Sequence, residues 1–289
     1  GYTLFHFVCR KGSIRTVKLF LDNRKKMNID VYAQDKNGWT PLHSASRYNS
    51  ALVVKQLLNL GLNVTLRTNK HNHIIHLAAF NKDPKVIQTV LESSQLTNID
   101  KNATNENGST VLHSAAENKH SHKPLAYLLK NGMKFNLNIN QLDNYQRNVF
   151  HIACGFGTEE TVKFLLQNAK KYNIDLNLRN NNGNTPFHLA CYDGNLPMVK
   201  TLLKNSKKHK INVFSVGNDG KDGQDYAEQK GHTDVVKLIK DWKRKQPNEE
   251  LTRHIHDEIL FQLEKSEQSG DPRIASAIKL IKELKEHTN

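Results

Sequence analysis

Six histidines, His6, His43, His76, His113, His151 and His188, recur at intervals of 37, 33, 37, 38 and 37 residues. Imidazoles can hold a transition metal or pass a proton near neutral pH, so such a series invites a catalytic or metal-binding reading. Its regularity argues the other way. Equivalent positions of stacked repeats lie about 10 Å apart, whereas zinc gathers its ligands within about 2 Å of one point. The series therefore fits a structural device repeated along the chain, and no catalytic, metal or cofactor site is expected at these residues.

The remaining chemical candidates are weaker. Cys9, Cys154 and Cys191 are odd in number and far apart, which excludes a disulfide framework and favours a reducing compartment. They fall among small residues where thiols pack rather than react. "GFGTEE" at 155–160 lacks the third glycine and the preceding strand of a phosphate loop. In "GNDGKDGQD" at 217–225, Lys221 and Gly223 stand where a calcium loop needs oxygen ligands. "HNHIIH" at 71–76 and the pair His120 and His122 read as loop or helix-end features. No Ser/His/Asp, kinase or nucleotide signature occurs, so the expected protein is not an enzyme and uses no cofactor.

Composition limits the architecture. Of 289 residues, 37% are hydrophobic, with a mean hydropathy of −0.66, enough to fill a thin, elongated core more readily than a thick one. The net charge of +14 is unevenly placed. Residues 246–289 carry six basic and nine acidic side chains, so the first 245 hold the whole surplus, 36 basic against 19 acidic. No apolar run approaches the roughly 20 residues of a membrane span, and no signal peptide is visible at the opening "GYTLFHFVC". A cytoplasmic setting is the expectation. The abundance of Asn and Lys suits both a bacterial effector acting in a host cytoplasm and a eukaryotic scaffold.

The elements that carry the histidines repeat with them. "TLFH", "TPLH", "HIIH", "TVLH", "NVFH" and "TPFH" open six units, and "GKDGQDYAEQKGH" at 220–232 is a seventh with Asp225 in the histidine position. Gly38, Gly108 and Gly183 suit a turn of positive φ, Thr40 or Thr185 caps a following helix, and Pro41 or Pro186 enters its first turn. Small residues follow, as in "SAS", "SAA" and "LAC", and then a second apolar-periodic helix such as "ALVVKQLL" or "EETVKFLL". One unit is turn, helix, helix.

These residues resemble ankyrin repeats, whose pattern is D-x-x-G-x-T-P-L-H-x-A-A-x-x-G, a second helix and a loop. "DKNGWTPLHSASRYNS" and "NNNGNTPFHLACYDGN" match most closely, and the resemblance covers residues 1–245. His71 and His73 stand where the third unit would have Gly and Thr, and Gln146 and Asn148 do so in the fifth, so an altered turn is expected in those two loops.

The resemblance implies an all-α solenoid of about seven units. It also implies that Thr and His hydrogen-bond within and between loops, and that partners bind at the turn tips and at the two positions after the small-residue pair, on a concave face. Read off this chain, the pairs are Arg10-Lys11, Arg47-Tyr48, Phe80-Asn81, Glu117-Asn118, Gly155-Phe156, Tyr192-Asp193 and Gln229-Lys230, with Trp39 and Tyr145 at tips.

Exposed aromatic and arginine side chains make interface anchors, so Trp39, Arg47, Tyr48, Phe80, Phe156 and Tyr192 are the expected contacts for one or more partner proteins. Two clusters are expected, Trp39, Arg47, Tyr48 and Phe80 in one, Phe156 and Tyr192 in the other. The alternative is a basic module for single-stranded nucleic acid, with lysines such as Lys36 and Lys70 meeting phosphates while rings stack on bases.

Residues 246–289 leave the repeat pattern and read as a helical hairpin. Leu251, Ile255, Ile259 and Leu263 form one stripe, Ile274, Ile278, Ile281 and Leu284 the other, with Asp271 and Pro272 opening the second helix. The hairpin would cap the exposed end of the array or recruit a partner.

Overall fold

The computed structural model describes residues 1–246, 259–264, 266 and 272–286, and among these it contains helices and turns and no β-strand. The chain divides into two compact units, Gly1–Asp175 and Leu176–Asn289.

The first unit holds five helix pairs: α1 (Leu4–Lys11) with α2 (Ile14–Asp22), α3 (Pro41–Tyr48) with α4 (Ala51–Leu58), α5 (Ile74–Ala79) with α6 (Pro84–Leu91), α7 (Val111–Ala116) with α8 (Lys123–Lys130), and α9 (Val149–Phe156) with α10 (Glu159–Tyr172). First helices stack on first helices, and second on second. The second unit repeats the arrangement with α11 (Pro186–Asp193), α12 (Leu196–His209), α13 (Gly223–Gln229) and α14 (Thr233–Arg244), followed by helical residues 259–264 and α15 (Pro272–Glu286).

The second helices α4 and α6 bury the same stripe. Val53, Val54, Leu57 and Leu58 of α4 correspond to Val86, Ile87, Val90 and Leu91 of α6, and all eight are buried. Their i, i+1, i+4, i+5 spacing puts four apolar side chains on one face, each contributing about 1.5–3 kcal/mol when fully covered. The first helices are too short to be stable alone, and their Ala and Ser positions, Ala45, Ala78, Ala115 and Ser114, are buried where helices meet closely.

The turn tips are built by one acceptor each. Asp35 Oδ1 accepts from the amides of Asn37 and Trp39 at 2.8 and 2.9 Å, and Asn105 and Asp143 do the same in their loops. Gly38 and Gly108 then take φ of +75° and +73°. A Cβ at Gly108 would also run into Asn144 of the next tip. The two loops expected to be altered are not: His71 and Gln146 adopt φ of +54° and +58°, holding the same left-handed position as the glycines. The tip's hydrogen bonds impose the conformation on residues that would not choose it.

The positions after the small-residue pair are not all free. Asn118 is buried and its Nδ2 donates to the carbonyls of Ala79 and Asn81, both at 3.0 Å. Asn81 donates likewise to Ser46 and Asn49, and Asn49 to Cys9 and Gly12. This amide ladder satisfies carbonyls at the C-terminus of the preceding first helix. Gly157 follows in the fifth repeat, where a Cβ would meet Ala116 O.

In the C-terminal segment Leu260 and Ile278 are buried, and Lys282 Nζ meets Glu264 Oε1 at 2.9 Å. Ile259, expected on the packing face, is exposed, while Leu263 of the same stripe is half-buried. Ile274 and Ile281 are half-buried; Leu251, Ile255 and Asp271 lie outside the described residues.

Replacing Asn118 by Ala removes both donors from buried carbonyls, so stability should fall by about 2 kcal/mol or more. Urea unfolding measures this, and an unchanged midpoint would contradict the ladder.

Candidate functional site

The histidines are accounted for first. In all six repeats Nδ1 accepts the backbone N–H of the residue capping the first helix, at 3.0–3.3 Å. Asp225 accepts the equivalent bond from Asp222 at 2.9 Å. An Nδ1 that accepts leaves the ring proton on Nε2, and that proton is donated to the next repeat: His6 to Trp39 O at 2.9 Å, His76 to Ser109 O at 3.1 Å, His113 to Arg147 O at 3.0 Å. His73 caps α5 where other repeats use Thr or Asn. Its Nε2 and that of His43 are buried without a hydrogen-bond partner among the described residues. Burial pushes the imidazoles of His43, His73 and His76 down to about 4.

The other chemical candidates are occupied or inert. Burial raises the Cys9 thiol to about 12 and the Cys191 thiol well above its ordinary value, and Cys9, Cys154 and Cys191 are buried and form no disulfide. In the glycine-rich loop Asp219 meets Lys221 at 3.4 Å, and Asp222 meets Lys243 of α14 at 2.8 Å. Among the described residues no three His, Cys, Asp or Glu side chains gather as a metal site.

The surface row is different. Tyr48, at the end of α3, is 45% exposed, and it is surrounded by cations and rings from three repeats. Trp39, half-buried at its tip, stacks on Tyr48 with centroids 6.1 Å apart at 21°. The Arg10 guanidinium lies 4.3 Å from the Tyr48 ring centre, and Arg47 lies 5.3 Å from Tyr48 and 4.5 Å from half-buried Phe80. Arg47 Nη1 also donates to Phe80 O at 2.8 Å. Contacts of this kind contribute about 0.5–2 kcal/mol each. Four of the six expected residues, Trp39, Arg47, Tyr48 and Phe80, are thus brought together.

The remaining two are placed separately. Phe156, 43% exposed, lies 5.6 Å from Arg147, whose guanidinium is also 4.8 Å from Tyr145. Arg147 is anchored by buried Asp143 at 2.7 Å. Tyr192, 48% exposed, belongs to the second unit, with Lys230 4.2 Å above its ring and Tyr226 edge-on at 6.1 Å. Glu117 follows α7 in the first unit; burial raises its carboxyl, while Arg47, Lys119 and Arg147 draw it down.

Arg10 and Arg147 were absent from the expected contacts, yet both were legible by register. Arg10 occupies the position of Arg47 in the preceding repeat, four residues after the histidine, and Arg147 that of Trp39, four residues before it.

A family model described as ankyrin repeats (3 copies) matches residues 1–68 and 75–180, and one described as ankyrin repeats (many copies) matches residues 159–203. The E3 ubiquitin-protein ligase KEG of Arabidopsis thaliana is 30% identical over 134 residues, 46% of this chain and 8% of that protein. The chain spans between 5% and 19% of the length of the curated relatives it matches. Among solved structures, the human ASB11 ankyrin repeat domain is similar with a TM-score of 0.61 and 19% identity, over 85% of this chain and 99% of that one. A chain from the predatory endopeptidase of Bdellovibrio bacteriovorus in complex with an immunity protein is similar with a TM-score of 0.50 and 26% identity, over 69% of this chain and 96% of that one. Among the described residues no helix is long and apolar enough to cross a membrane.

The buried histidines generate a pH dependence. Unfolded histidine titrates near 6.5 and His43, His73 and His76 near 4 when folded, so unfolding takes up protons between these limits. Stability is therefore full above pH 6.5 and declines as pH falls towards 4, by up to about 1.4 kcal/mol per pH unit for each histidine. Urea midpoints measured across this window should fall steadily; a flat profile would mean the rings are not buried neutral.

Proposed function

Because the chain belongs to the ankyrin repeat family, we propose that it is a non-enzymatic scaffold that captures a partner protein on the concave face and turn tips of its repeats. Ankyrin repeat domains generally mediate protein–protein interaction and are typically non-enzymatic. In this reading Trp39, Arg47, Tyr48 and Phe80 form the main contact, with Phe156 and Tyr192 as further anchors. The observation that carries it is the Tyr48 ring: large, 45% exposed, and held in place by Trp39, Arg10 and Arg47 rather than by the core. A ring fixed in this way loses little freedom on binding and buries much area, which is how interface hot spots act. The Bdellovibrio complex with an immunity protein, in which a chain of similar fold takes part, supports a protein as partner.

Three buried cysteines that form no disulfide fit a reducing compartment, and a cytoplasmic site of action belongs to this proposal. So does the division into repeats over residues 1–245 and a capping hairpin over 246–289. The cap draws support from Phe261, whose ring lies 3.8 Å beneath the Arg179 guanidinium of the second unit.

A second reading, binding of single-stranded nucleic acid, draws on the same rings and on the net charge of +14. Salt separates the two. Six or more phosphate contacts lose roughly 10³-fold in affinity between 50 and 200 mM salt, whereas aromatic anchors respond far less.

The test is the double variant Tyr48→Ala, Phe80→Ala, assayed against a partner recovered with the intact chain and identified by mass spectrometry. Affinity should drop at least about thirtyfold, while stability moves by no more than about 1 kcal/mol. A variant that melts early yet binds in proportion to its folded fraction would place both rings in the core and refute the reading.

A further inference from the structure

Arg10 and Arg47 share one ring and lack an acid. Their guanidinium groups lie 4.3 and 5.3 Å from the centre of Tyr48. Among the described residues neither forms an ion pair. Arg147 shows the contrast: two of its nitrogens meet Asp143, Nε at 2.8 Å and Nη2 at 2.7 Å. Arg10 Nε is buried with no hydrogen-bond partner among the described residues, and Arg47 commits Nη1 to Phe80 O. Most of the donors on both forks are unspent.

Two like charges held beside one ring repel each other unless an anion joins them. The guanidinium fork matches a carboxylate in two-point geometry, and both groups lie beside the Tyr48 ring. Glu117 lies within electrostatic reach of Arg47. It makes no ion pair with either arginine, so it biases the field of the row without closing the fork.

We propose that Arg10 and Arg47, presented on Tyr48, recognise an acidic peptide segment of the partner, whose carboxylates take the two guanidinium groups while adjacent apolar side chains cover Tyr48 and Phe80. The inference rests on the protein-binding reading above and names the chemistry of the partner. Charge complementarity selects this occupant: the first 245 residues hold the whole positive surplus of the chain, and a flexible acidic segment offers both carboxylates and apolar side chains to the row.

The experiment is fluorescence anisotropy of a fluorescein-labelled oligoglutamate peptide with the full chain, beside labelled oligo-dT. The double variant Arg10→Gln, Arg47→Gln should weaken oligoglutamate binding at least about tenfold. Lys207→Gln with Lys208→Gln removes the same charge from the end of α12 and should change it by less than about twofold. Glu117→Gln should strengthen it, because one competing negative charge is gone.

Equal losses from the two double variants would reduce the effect to overall charge and overturn the site. Tighter binding of oligo-dT, lost in the same arginine variant, would overturn it in favour of nucleic acid. If the glutamine variant melts early, Arg10→Lys with Arg47→Lys keeps the charge and removes the planar fork, and unchanged affinity would then overturn the proposal. Absence of oligoglutamate binding overturns the acidic partner alone; the scaffold reading fails separately, if Tyr48→Ala, Phe80→Ala leaves capture of the isolated partner intact.

Discussion

A neutral imidazole spanning two repeats is the constraint on which the rest depends. Its Nδ1 accepts the capping residue's amide at the start of its own helix, and in His6, His76 and His113 its Nε2 donates to a carbonyl of the following tip. Each repeat is too small to bury its own apolar face, so stability comes from nearest-neighbour contacts. The imidazole makes those contacts specific in register. A hydrophobic stripe tolerates sliding; a hydrogen bond of about 3 Å between one ring and one carbonyl does not.

The same device gives the histidine pattern a structural reason. A ring that accepts at Nδ1 and donates at Nε2, as His76 does, has no lone pair for a metal, and burial lowers its affinity for a second proton. In the proposed reading, partner contacts fall at positions that the stack leaves uncovered. Tyr48 and Phe156 project from the ends of first helices, and Trp39 and Arg147 from the tips between them. Arginines hold these rings from outside the core, so the row is stiff without being buried.

Much of the fold was readable because its local rules are strict. Thr before a first helix, Gly at the tip and an apolar stripe in the second helix each have one economical structural solution, and their recurrence sets the register of the repeats. The turn at His71 and Gln146 was misjudged because residue propensity was weighed against the tip's hydrogen bonds, which prevail. Asn81 and Asn118 were read as surface positions. Their role follows from α5 and α7 ending earlier than α3, which turns the amide inward, and no spacing rule announces a helix two residues shorter. Trp39, Tyr48 and Phe80 were identified as a group, whereas Arg10 gained meaning only when its guanidinium was seen above Tyr48. A partner's chemistry is written in such placements, not in the repeat.

Histidine side-chain NMR of the full chain tests the central claim most directly, because the tautomer and charge of each ring can be read from its nitrogen shifts. The rings of His6, His76 and His113 should be neutral with the proton on Nε2, and those protons should exchange slowly with water. For His76 this state should persist to about pH 5, well below the ordinary value near 6.5. A His76 ring that titrates near 6.5, or rings that carry the proton on Nδ1, would show that the histidines do not bridge the repeats.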